Sequence, residues 1–69
     1  MPPLRVIIAR ARDVQTELWL GDELMAAGFL YDGHLYLRIV PRPDGEPWTL
    51  DATSLALALE TAQRQIAGG

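Results

Sequence analysis

The sequence predicts a small α+β domain: an antiparallel meander of three to four strands, then one carboxy-terminal helix packed on one sheet face, in the order ββββα. Three observations predict it. Asp32-Gly33 lies between two apolar segments, and Asp-Gly readily takes the two positive-φ positions of a tight hairpin turn. Residues 52–67 hold no Gly or Pro and repeat apolar side chains at helical spacing. Ahead of them stand four short apolar segments parted by turn residues.

The first strand is predicted over residues 4–10 (LRVIIAR), a β-branched run that is apolar on both alternating faces. A turn at Arg12-Asp13 leads to a second strand over 15–20, stopped by Gly21-Asp22. Residues 24–31 are assigned to a strand, because Gly28 weakens a helix and the Asp-Gly turn follows directly. The fourth strand, over 34–40, ends at Pro41 and Pro43, since proline cannot donate to a sheet ladder. Residues 41–48 form a stiff loop with Trp48 as its apolar anchor. The helix over 52–67 starts at a cap supplied by Asp51 or Thr49, and Gly68-Gly69 stops it. Its stripe is Ala52, Leu55, Ala56, Leu59, Ala62 and Ile66, with Leu57 outside it.

A single domain is all that 69 residues allow. A chain of this size buries only about 60% of the surface its unfolded form exposes, so a partner or a second copy often supplies its last stability. With no cysteine there is no disulfide, no thiolate metal site and no thiol nucleophile. A net charge of −3 argues against a general nucleic-acid binder. All six cations are Arg, which reads either as a GC-rich bacterial or phage genome or as selection for bidentate guanidinium contacts. No apolar stretch approaches the roughly 20 residues that span a bilayer, and the amino end lacks a signal-peptide pattern, so a cytoplasmic location is expected.

A two-residue Asp-Gly turn fixes the register of the hairpin. Tyr31 then opposes His34, Leu30 opposes Leu35, Phe29 opposes Tyr36, Gly28 opposes Leu37, Ala27 opposes Arg38, Ala26 opposes Ile39 and Met25 opposes Val40. One face carries Leu24, Ala26, Leu30, Leu35, Leu37 and Ile39, the expected seat of Leu55, Leu59 and Ile66. The other carries Met25, Ala27, Phe29, Tyr31, His34, Tyr36, Arg38 and Val40. If Gly21-Asp22 is likewise a two-residue turn, Leu18 and Leu20 join this second face and Trp19 points to the core.

That second face mixes aromatics, aliphatics and one Arg, where a wetted face alternates toward Lys, Glu, Thr and Ser. Three readings compete. The first strand or the proline-rich loop covers part of it, or the aromatics simply pair across strands. Alternatively a protein partner or a second copy covers it. In the third, single-stranded nucleic acid stacks on Phe29 and Tyr36 beside Arg38.

Chemistry finds little footing. His34 is the only histidine and reads as a solvent-exposed turn residue beside Asp32. The acids are scattered and turn chemistry accounts for Asp22, Asp32 and Asp44, so no catalytic, cofactor or metal residues are assigned. Arg5, Arg10 and Arg12 read as a charged strand edge that discourages edge pairing. The expected function is a non-enzymatic protein-interaction module, an adaptor, inhibitor or regulator that also self-associates. Its contact residues are Phe29, Tyr36, Arg38, Met25, Tyr31 and Leu18, with nucleic-acid binding through the same face as the alternative.

Overall fold

The computed structural model describes residues 3–9 and 13–68. Four strands run in chain order: β1 (Leu4–Ile8), β2 (Thr16–Leu20), β3 (Glu23–Tyr31) and β4 (His34–Ile39). One helix follows, α1 (Ala52–Gly68). The strands form a single antiparallel sheet in the order β1-β2-β3-β4, and α1 packs on one of its faces. The expected ββββα architecture is therefore the observed one. The predicted first strand extends to Arg10, which lies outside the described residues, as does Arg12 of the presumed basic cluster. No helix of the described residues is long and apolar enough to cross a membrane.

Turn chemistry sets the β3–β4 register as expected. Asp32 and Gly33 both take positive φ (53° and 79°), and Tyr31 pairs with His34, Phe29 with Tyr36 and Ala26 with Ile39. The β2–β3 hairpin begins on its two-residue turn, with Leu20 opposite Glu23 and Trp19 opposite Leu24. The pairing then slips by one, so that Leu18 opposes Ala26 and Met25 stands as the extra residue of a β-bulge. A one-residue slip turns every later side chain to the other face.

The core consequently differs from the one expected. Leu18, Ala26 and Met25 are all buried, packed with Ala58 against Leu4, Val6, Leu37, Trp48, Leu50, Leu55 and Leu59. Leu18 and Met25 thus lie inside, and Leu20 pairs with Leu4 on the helix side. Trp19 and Leu24 belong to the opposite face. Burying Leu18 completely contributes about 1.5–3 kcal/mol.

The helix lies chiefly across β1 and reaches β2 and β3 less. Its stripe is rotated from the expected one, with Ala58 and Ala62 buried and Ala52 and Ala56 exposed. Ile39, on the face expected to receive the helix, stays 55% exposed for this reason. The proline-rich loop fills in beside the helix. Trp48 donates its indole N–H to the Val40 carbonyl (2.7 Å), and Arg42 lies 5.3 Å from its ring centroid. Arg42 also holds both oxygens of Glu23, so the loop is fastened to the start of β3. Trp48 is the loop anchor the sequence predicts.

Two positions show why particular residues are required. A Cβ on Gly28 would stand 2.8 Å from the Leu37 side chain, 3.0 Å from that of Thr16 and 3.2 Å from the Tyr36 carbonyl. Thr16 has no room to move, being fully buried with its hydroxyl donating to the Ile7 carbonyl. Gly28→Ala is therefore expected to cost about 1–3 kcal/mol by overpacking, read as a drop in the urea midpoint.

Asp51 is the helix cap, accepting the Ser54 N–H at 2.9 Å and the Ser54 hydroxyl at 3.0 Å. The Ser54 backbone bond, then the hydroxyl bond, hold its carboxyl below the ordinary carboxylate range. A depressed folded-state value stabilises above the unfolded value of about 3.9 and is lost as pH falls through the folded value. Asp51→Asn is expected to flatten that acid limb in thermal melts between about pH 5 and pH 2, where the wild type loses stability. An identical acid limb in both proteins would refute the assignment.

Candidate interaction face

The sheet face turned away from α1 is built from four strands. Glu17 and Ala27 stand in one cross-strand row with Ile7 and Arg38. Trp19 stands between Arg5 and Leu24 in the next, and Phe29 pairs with Tyr36 toward the hairpin end. Strand alternation puts all of these on one side, together with Tyr31 and His34. Trp48 and Leu50, the apolar residues of the long loop, pack into the core on the helix side. Among the described residues, neither β1 nor the loop folds across this face: β1 widens the sheet instead.

The aromatic side chains are organised among themselves. Phe29 and Tyr36 stack with centroids 5.6 Å apart and planes 20° off parallel, and Tyr31 meets Tyr36 at 6.5 Å in a tilted arrangement. Such pairs are worth about 0.5–1.5 kcal/mol beyond their buried area and hold the rings in place without a partner. Tyr36 is nevertheless 48% exposed and Tyr31 more so. Trp19 donates its indole N–H to Glu17 (3.1 Å), which fixes both side chains flat along β2.

The charge on this face is opposite in sign to that of the whole chain. Arg5 and Arg38 are both exposed there, and Glu17 is the carboxylate among them. Arg5 donates to the Gly21 carbonyl (3.1 Å), which draws it across β2 and away from the free side of β1.

Of the six residues expected to make contacts, the structure brings Phe29, Tyr31, Tyr36 and Arg38 together on this face. Leu18 and Met25 are corrected to the core, because the bulge reverses the alternation at that point. Trp19, Leu24 and Ile7 stand on this face instead and were missed. Only a marker for the bulge would have revealed the first two, and Met25 carries none. His34 is exposed beside the turn, and among the described residues no three His, Asp or Glu side chains converge as metal ligands.

Comparisons with protein-family models, with curated proteins and with solved structures returned no match.

The face assignment is open to a direct check. Leu18→Ala is expected to cost about 2–5 kcal/mol as a cavity in the core, whereas Tyr36→Ala costs about 1 kcal/mol. The reverse order in denaturant melts would mean that the sheet lacks the bulge.

Proposed function

We propose that the chain is a small, non-enzymatic protein-interaction module that docks a partner protein on the outer sheet face. The observation that supports this reading is the state of that face: four strands wide, with Trp19, Leu24 and Phe29 half-buried beside exposed Tyr36, Tyr31 and Ile7. Clustered exposed apolar side chains on one face mark interaction sites more often than singly scattered ones do. Aromatic residues ringed by Arg form the composition enriched at binding hot spots. The partner that fits is a protein surface with an apolar centre and acidic side chains at the positions facing Arg5 and Arg38. Rigid, mutually stacked rings keep the ordering cost of docking low. A module of this kind would act as an adaptor, inhibitor or regulator.

The test uses Phe29→Ala with Tyr36→Ala, and separately Arg38→Glu. Both variants are expected to keep the wild-type circular dichroism and to lose the proteins that the wild type retains from a cell lysate, with the same bands gone in each. Retention of those bands by both folded variants would overturn the reading. A fluorescent oligonucleotide titrated at low salt, where electrostatic binding is strongest, is expected to give no response. A saturable response abolished by the same substitutions would replace the protein partner with single-stranded nucleic acid.

A further inference from the structure

A second surface lies at the edge of the sheet, and its chemistry is independent of the outer face. β1 is an edge strand, and its hydrogen-bond parity follows from its two flanking bonds. Ala9 N–H donates to Gln15, and Gly21 N–H donates to the Pro3 carbonyl. In an antiparallel ladder the bonded pairs alternate, so Arg5 and Ile7 also face β2. The N–H and C=O groups of Leu4, Val6 and Ile8 therefore point outward, away from the sheet.

Among the described residues, nothing protects that edge. β1 holds no Pro, no bulge and no Lys, and its one charge, Arg5, is tied back to Gly21. Above it runs a groove of about 400 Å³ between Leu4 and Val6 on the strand and Ser54, Leu57, Ala58 and Thr61 on the helix. Leu57 is 58% exposed on its rim, and Ile8 is 44% exposed at the strand end. The leucine left outside the helix stripe thus stands beside a free strand edge.

We propose that the occupant of this edge is a second copy of the chain, joined β1 to β1 about a two-fold axis through Val6. The sequence of β1 is self-complementary in that register. Val6 meets Val6 of the second copy and Leu4 meets its Ile8, each pair exchanging both backbone bonds. On the helix side the two α1 helices come together over the seam. The small groove residues Ser54, Ala58 and Thr61 allow an interaxial approach of about 8–10 Å, with Leu57 filling the gap.

Charge agrees with this register, because Arg5 of one copy falls opposite Ile7 of the other and the two guanidiniums do not meet.

Sedimentation and amide exchange test this. The wild type is expected to sediment at twice its chain mass at micromolar concentration. The Val6 N–H should exchange roughly a hundredfold more slowly than an unpaired edge amide and lose that protection on dilution. Leu57→Glu and Ile8→Pro are each expected to give folded monomers. Proline at position 8 removes an outward N–H and leaves the β1–β2 ladder whole. Phe29→Ala with Tyr36→Ala should remain dimeric, which separates this surface from the outer face. A monomeric wild type at high micromolar concentration overturns the proposal. So does a dimer that survives Leu57→Glu, or a Val6 amide that exchanges freely while the dimer persists.

Discussion

The extra residue in β3 is the constraint on which the rest depends. Without it, β2 would present Trp19 to the helix and Leu18 to solvent, and the space beneath α1 would have to admit an indole. With it, Leu18, Met25 and Ala26 all reach the same buried cluster and meet Ala58. Those contact residues are small or flexible, so the helix can sit close to the strands. The price is an indole on the open side, which Glu17 partly satisfies by accepting its N–H. A single slipped pair thus creates the dense core and the apolar outer face together.

Coverage is the second constraint, because one helix cannot roof four strands. A helix is about 10 Å across and the strands stand about 4.8 Å apart, so α1 covers about two of them. It settles over the β1 side, where Leu4 and Val6 offer aliphatic contact, and leaves β4 to the loop. Arg42 makes that substitution work. Its guanidinium bridges Glu23 and the Trp48 ring, so the side chain that neutralises an acid at the start of β3 also seats the indole that closes the core. Ile39 remains uncovered because neither element extends that far.

Much of this was legible in the sequence, where a strong local rule applied. Asp32-Gly33 dictated a turn, the turn dictated a register, and every predicted β3–β4 pair from Tyr31 to Ala26 is present. The helix limits followed from composition in the same way, and of the two cap candidates, Asp51 and Thr49, the structure uses Asp51. The bulge was not legible, because Met25 is an ordinary strand residue and no Gly or Pro marks the slip. Reading alternation straight through it sent Leu18 outward and Trp19 inward. The seat of the helix was hidden too: with alanines on several sides of α1, its buried side depends on the strand packing, which periodicity does not encode. Gly28 shows the same limit, since its necessity arises from Thr16 and Leu37 closing in from either side.

The two surfaces are compatible, which gives the edge pairing a consequence for the outer face. A two-fold axis through Val6 stands perpendicular to the sheet, so both helices fall on one side and both outer faces on the other. Pairing β1 with its copy would then leave the aromatic side chains of each chain untouched and join them into one eight-stranded surface. Ile7 and Arg5, at the rim of a single chain, would move to its middle. A partner able to engage both halves would bind the second at the effective concentration set by a rigid sheet, and avidity would exceed the affinity of either half. A domain whose own core rests on three alanines, one leucine and one methionine would in this way gain stability and binding strength from the same contact.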